Sequence, residues 1–579
     1  MKKLICALTL LCLLLTPALA EGGAAGGHTL DEKTMDFYLC DAETVMPGSV
    51  CFVDGSDVPY LALSRWPEII AHLAGMPVSV GPSFSELSFS MTGNVGTLTR
   101  GDGYTAAFDC DSDTIDFLDY NAFLRSSDSS YLIDVLDSDG ITAPDGSVRY
   151  FRRKAGSYER YGREVKIDAG AYGIDFIAAG DDCYVPVQTL SDVFLSHYYM
   201  SIFYNGEAVF FVPYNSLGSA SALTPLGEKF FSVQPHARSE TLARFAYDEL
   251  CLAMDTFYGL KQSHDIQHFD ELADNTGLKR DLIGTDPVRA DAALYSLLSL
   301  HLDDLHTYYR LPSPLSGVSA ANGFADELGR GQSSLNMRSQ SKLYREARQK
   351  AYPDGVPAYE EVGNTAFITF DHFLAPDDDV DYYQTPPTPE AEDTLGIMSY
   401  AYSQITREGS PIENVVLDLS CNMGGESDAA IYTIAAYLGT CSVSAKDPLT
   451  GAMVTGNYEI DINLDGVIDE KDLGLQDRNL FCLESPVSFS CGNLVTCAFK
   501  NSNRVLLLGR ASGGGACIVY PFSTADGTSF QTSGNLQLSF TKNGSFYDID
   551  QDAEPDIPLM KPATFYDRQA LAEIVNGVR

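Results

Sequence analysis

Between Thr34 and Pro213 the apolar positions come in short β-rich runs broken by Gly and Asp, among them Ser49–Val53, Tyr104–Phe108, Glu164–Ile167 and Ala208–Val212. Runs of this length bounded by turn residues predict strands. The pattern V-P-x-x-x-L-S occurs twice, as Val58-Pro59 with Leu63-Ser64 and as Val185-Pro186 with Leu190-Ser191, each opening a short helix. That echo predicts a duplicated α+β unit over 34–213. Ser, Gly and Pro scattered through 214–235 predict a linker. From Ser239, a side chain suited to an N-cap, the period lengthens to that of a helix, with Leu242, Phe245, Ala246 and Ala253 on one face. Helical spacing runs on to Ala292–His301, so 236–310 reads as a helical bundle. Residues 311–363, polar and rich in Ser, Gly and Arg, read as an irregular insert. Over 364–579 strands alternate with helices, the pattern of an α/β layer.

The first twenty residues follow another logic. Lys2 and Lys3 precede the apolar run Leu4 to Leu15, and Ala18-Leu19-Ala20 closes the segment. This is the form of a secretory signal cleaved after Ala20, too short to span hydrocarbon. It places the mature chain outside the cytoplasm, with 21–33 as a flexible lead-in. No later stretch is long and apolar enough for a transmembrane helix. The 579 residues carry 38 Lys plus Arg against 79 Asp plus Glu, a net charge of −41, which repels phosphate backbones and argues against nucleic acid as a partner. Eleven of the thirteen Cys follow the signal. An odd number cannot all pair within one chain, Cys40–Cys51 is one local candidate, and no zinc-type Cys/His spacing occurs. The region 34–213 resembles β-rich modules related to the amine-oxidase N-terminal domain, which implies a binding or spacing role and a cell-envelope ligand as a candidate partner.

Three segments point to chemistry. Val415 to Leu419 is a buried strand that runs through Ser420-Cys421-Asn422-Met423 into Gly424-Gly425 and a helix, where backbone N–H groups can converge on an oxyanion. Ser488-Phe489-Ser490-Cys491-Gly492-Asn493-Leu494 places a Ser on a strand-to-helix turn. His301 to Tyr309 contains an Asp304-x-His306-Thr307 step that can present an imidazole as a general base. All nine His precede Ser490, an order that excludes an α/β-hydrolase triad.

Taken in order, with the strand Asn364–Phe370, Gly509 to Gly515 and the closing Glu554-Pro555-Asp556-Ile557, these segments resemble the tail-specific, or C-terminal-processing, serine peptidases. The resemblance implies a Clp protease/crotonase-like spiral core preceded by a helical bundle, here following a separate N-terminal module. It implies Ser490 as nucleophile and the N–H groups of Gly424 and Cys491 as oxyanion hole. Where one branch of the family carries a Lys, this chain has Gly513-Gly514-Gly515, and Lys500 is too near Ser490 to replace it. The tricorn-like branch implies His306 as base and a late carboxylate, here Asp550 or Asp548, as its support. Roughly 55 residues separate Tyr309 from Asn364, too few for an intervening PDZ domain with its connections.

Within the core, Asp461, Asn463, Asp465, the Val467 carbonyl, Asp469 and Asp472 fall at the ligand positions of a twelve-residue calcium loop, 461–472, with Gly466 at its turn. These readings converge on an exported serine endopeptidase acting on peptides, with structural Ca2+. The absent Lys and the uncertain acid leave a degenerate, peptide-binding scaffold as the alternative, and the acidic surface leaves an adhesion module.

Overall fold

The computed structural model describes residues 24–25, 27–76, 86–124, 150–219, 222–318, 322–377 and 379–578. The signal segment and Asp378 lie outside the described residues.

The chain is an α/β protein with an N-terminal β module. That module holds an eight-stranded and a five-stranded sheet. The two V-P-x-x-x-L-S echoes lie side by side: the strands Pro59–Ala62 and Asp182–Pro186 pair antiparallel, with Leu61 opposite Val185. Each leads into a helical segment, beginning at Leu63 and at Val187. Repeated sequence has thus become two hairpins joined through their second strands.

In the C-terminal core, numbered from its first strand, β1 (Tyr359–Val362) precedes β2 (Thr365–Thr369), β3 (Asn414–Asp418), β4 (Asn479–Glu484), β5 (Val505–Gly509) and β6 (Ile557–Pro558). They lie in that order in one sheet, parallel from β2 onward. Strands β2 and β3 are buried at every position, which explains why they read as continuous apolar runs rather than alternating ones. Helices α1 (Gln332–Ala351), α2 (Ser427–Leu438) and α3 (Cys491–Ser502) complete the frame around the site.

Four expected boundaries move. The lead-in is shorter than 21–33, because a strand begins at His28 and runs to Leu39, paired with Val45–Val53. The N-terminal module is not separate: its strand Phe151–Arg160 joins a core sheet through Met453–Ile460. Its aromatic residues Trp66 and Phe194 also share one hydrophobic cluster with Phe257 of the helical part and Phe522 of the core. The stretch 214–235 is no free linker, since the helix Pro225–Phe230 buries Leu226 and Phe230. Finally, 311–363 contains the twenty-residue α1. Only Met337 and Tyr344 of that helix are buried, so it carries no apolar stripe for a periodicity argument to find.

The Cys40–Cys51 pairing is also overturned. In the first hairpin Tyr38 faces Val45 and Glu32 faces Cys51, which sets the two cysteines eight strand positions apart, about 26 Å at about 3.3 Å per residue. A disulfide needs Cα atoms within roughly 7 Å. All eleven described cysteines are free thiols.

Candidate active site

The carboxyl ends of β3, β4 and β5 lie next to one another, and each runs into one of the loops singled out by sequence. Crevices at this edge of a parallel sheet are where ligands bind. The loop after β3 begins with a tight turn in which Asp418 accepts the Ser420 N–H (3.0 Å) and hydroxyl (2.6 Å). It is tied to the loop after β4 by the Ser485 hydroxyl on the Ser420 carbonyl (2.6 Å), the Ser488 hydroxyl on the Leu419 carbonyl (2.8 Å) and the Phe489 N–H on the Asn422 carbonyl (3.1 Å). The small hydroxyl residues around Ser490 hold these two loops in register.

Ser490 is the N-cap of α3, half exposed, with φ 56° and ψ −123°. A backbone held in a sparsely populated φ/ψ region costs about 1–3 kcal/mol and persists only where the surrounding structure fixes it. It is the strained strand-to-helix conformation that lifts a hydroxyl clear of its surroundings. Gly513 to Gly515 buttress it: Ser490 donates its N–H to the Gly514 carbonyl (2.9 Å), and Gly513 donates to the Ser488 carbonyl (2.8 Å). A Cβ on Gly515 would come within 2.7 Å of the Phe489 ring. These glycines therefore support the Ser490 turn through their backbone.

Gly424 lies against the same residue. A Cβ there, at φ 101°, would meet the Ser490 Cβ at 2.7 Å and its Oγ at 3.1 Å. Its own N–H is already donated to the Asn422 side chain (2.9 Å). In the bridge between Gly425 and Phe373, the bonds use the Gly424 carbonyl and the Glu426 N–H. Gly425 packs against Cys491, whose thiol donates to the Gly425 carbonyl (3.2 Å) and is itself faced by the Gly425 N–H. Among the described residues the Cys491 N–H has no partner, whereas that of Gly424, the other expected donor, is held by Asn422.

His306 lies beside the Ser490 turn: its ring sits 4.7 Å, centroid to centroid, from that of Phe489. Among the described residues its ring nitrogens have no hydrogen bond, to Ser490 or to any carboxylate. Its backbone is held by Asp304, whose carboxylate accepts the N–H groups of His306 (2.8 Å) and Thr307 (3.1 Å), the Ser533 hydroxyl (2.8 Å) and the Tyr258 hydroxyl (3.0 Å). Burial lowers the imidazole pKa, and the Asp304 charge opposes that shift. Asp304 was part of the motif but was given no role by sequence; in the structure it is the carboxylate whose charge acts on His306.

The late carboxylates divide by exposure. Asp548 is exposed and accepts the Asp550 N–H (2.9 Å). Asp550 is half buried, its pKa raised by burial and by the charges of Asp548 and Asp304, with the N–H groups of Gly515 and Ala516 opposing. Neither makes a hydrogen bond to the His306 ring. Lys500 is ion-paired with Asp556.

The N-terminal module reaches this crevice. Tyr199, at φ 55° and 38% exposed, packs edge-on against Tyr214 (6.4 Å). The Tyr214 hydroxyl meets that of Tyr308 (3.2 Å) and the side chain of Gln531, which in turn donates to the His306 carbonyl (2.7 Å).

The loop 461–472 lies apart from this crevice, between two core strands. Asp461 accepts the N–H groups of Asp465 (3.2 Å) and Gly466 (2.8 Å), and Asp472 those of Ile462 (3.1 Å) and Asp469 (2.9 Å). Gly466 has φ 81°, as the turn requires. The Lys471 ammonium lies 3.2 Å from Asp465 and 3.6 Å from Asp469. Among the described residues no group of three or more His, Cys, Asp or Glu is arranged to hold a metal. Nor is any helix long and apolar enough to cross a membrane.

Residues 389–559 match the model of Peptidase family S41. Comparison with curated proteins finds no match. Solved structures similar to the chain include a photosystem II D1 C-terminal processing protease (17% identity, 36% of this chain and 46% of that one, TM-score 0.26). A lipoprotein from Streptococcus agalactiae has 14% identity over 60% of this chain and 99% of that one, at TM-score 0.35. The tricorn protease has 13% identity over 41% and 19%, at TM-score 0.24. The chain spans about half of the processing protease's length.

Proposed function

We propose, from the match of residues 389–559 to the model of Peptidase family S41, that the protein is an exported serine endopeptidase with Ser490 as nucleophile and His306 as general base. The observation that carries this reading is the strained φ of Ser490 at the head of α3, with the unpartnered backbone N–H of Cys491 beside it. His306 takes the Ser490 proton, the alkoxide attacks a peptide carbonyl, and the Cys491 N–H, with a backbone donor of the Gly424-Gly425 loop, stabilises the tetrahedral oxyanion. The imidazolium then protonates the leaving amine, and water, activated by the same imidazole, hydrolyses the acyl-enzyme. Proton transfer needs roughly 2.6–3.2 Å between Nε2 and Oγ. The His306 ring rests against Phe489 and has no hydrogen bond to surrender as it turns. Asp304 supports the imidazolium electrostatically, and Asp550 is the second acid on that side. Peptide hydrolysis by the wild type and none by Ser490→Ala supports the assignment; equal rates refute it.

In the calcium loop the Lys471 ammonium lies against Asp465 and Asp469, and backbone N–H groups bond to Asp461 and Asp472. We propose that Ca2+ binds there by displacing the Lys471 ammonium, as a structural ion outside the chemistry. A thermal midpoint raised by Ca2+ in the wild type but not in Asp461→Asn supports this; no change in either contradicts it. Export predicts a mature chain starting at Glu21, which N-terminal sequencing of secreted protein checks. The glycines in place of a Lys, and the imidazole lacking a hydrogen-bonded acid, favour a peptide-binding scaffold as the second reading. It predicts peptide binding with no reaction of Ser490 toward fluorophosphonates.

A further inference from the structure

The two sheets of the N-terminal module touch where Cys110, just past the strand Thr105–Asp109, meets Cys183 in the strand Asp182–Pro186. Their sulfurs are 3.0 Å apart, about 1 Å beyond the disulfide bond length of about 2.05 Å. The backbones are already drawn together at this point. Gly96, in the five-stranded sheet, would carry its Cβ within 2.8 Å of the Cys183 Cβ, so the strand above Cys183 has no side chain there. Cys183 is buried and Cys110 only half buried.

We propose that Cys110 and Cys183 form a disulfide in the mature protein, stapling the five-stranded sheet to the eight-stranded one. The order of events follows from access. The Cys110 contact and burial keep the Cys183 thiol protonated, so the solvent-reachable Cys110 thiolate attacks first. It attacks an external small-molecule disulfide such as oxidised glutathione, forming a mixed disulfide and releasing one glutathione thiol. Cys183 then loses its proton and attacks the Cys110 sulfur, closing the protein disulfide and expelling the second glutathione. Two protein thiols are oxidised and one external disulfide is reduced to two thiols. The bond joins residues 73 positions apart in the chain and in different sheets, a long loop of the kind in which a cross-link removes much unfolded-state freedom. None of this depends on the peptidase reading.

The test uses the full chain, equilibrated with oxidised glutathione, denatured, alkylated with iodoacetamide, digested and weighed. The expected result is a linked peptide pair containing Cys110 and Cys183, absent after reduction and absent in Cys110→Ser. Reduction should also lower the thermal midpoint of the wild type by several degrees and leave Cys110→Ser unmoved. Complete alkylation of both cysteines, or Cys110 recovered only as its glutathione adduct, overturns the proposal. Since the decisive measurement is made on unsubstituted protein, poor folding of a variant cannot mask the outcome.

Discussion

The imidazole of His306 is caught between burial, which favours its neutral form, and the Asp304 charge, which favours the imidazolium, with burial the larger effect. A base must be neutral to accept a proton, so activity is present above its pKa and falls as pH drops through it. The acid limb of kcat/KM is therefore expected below the ordinary imidazole value of 6.5. Asp304→Asn removes the opposing charge and should move that limb to still lower pH; a limb moved upward would show that Asp304 does not act on His306. Ser490 yields a second expectation. Its backbone strain disappears in Ser490→Gly, which should be more stable by about 1 kcal/mol while inactive, read from denaturant midpoints. The Ser490 turn and the His306 segment could be picked out from sequence because their neighbours form motifs. The bridge between Phe373 and Gly425 could not, since it is a contact across the fold.

At the scale of elements, buried β2 and β3 and the capped helix from Ser239 were legible because tertiary burial and local pattern agree there. Helix α1 was not, because its two buried side chains leave no period. A buried acid pair lies where the N-terminal module meets the helix Glu240–Phe257, and no pattern announced it. Glu249 there accepts the Thr189 hydroxyl (2.7 Å), and Asp192 lies within reach of its charge. Burial raises the pKa of Glu249. A carboxyl whose folded pKa is raised contributes stability in full below its unfolded value, near 4.5, and loses it as pH climbs through the folded one. The wild type should therefore lose thermal stability between pH 4.5 and about 8 more steeply than Glu249→Gln, followed by melting at each pH. Parallel slopes would contradict the buried neutral acid.

Across the whole molecule, the division into modules that composition suggested is weaker than the contacts that bridge it. Gln188 donates to the Ser523 carbonyl (2.8 Å), Asn121 to Asp447 (2.8 Å), and Phe151–Arg160 completes a core sheet. Sequence showed where patterns change, but long-range pairing of this kind leaves no local signal. A chain truncated to begin at residue 214 would bare the shared apolar cluster and lose that strand. It is expected to be insoluble or to lack a cooperative melt, whereas a soluble, cooperatively folding fragment would restore the modular view.

The proposed hydrolysis depends on Ser490 being made nucleophilic by His306. The most direct measurement is the rate at which a fluorophosphonate labels the full-length protein, with the modified residue mapped by mass. Labelling confined to Ser490, slowed by about 10²-fold or more in His306→Ala, is the predicted result. Absence of labelling, or a rate untouched by loss of the imidazole, would contradict it.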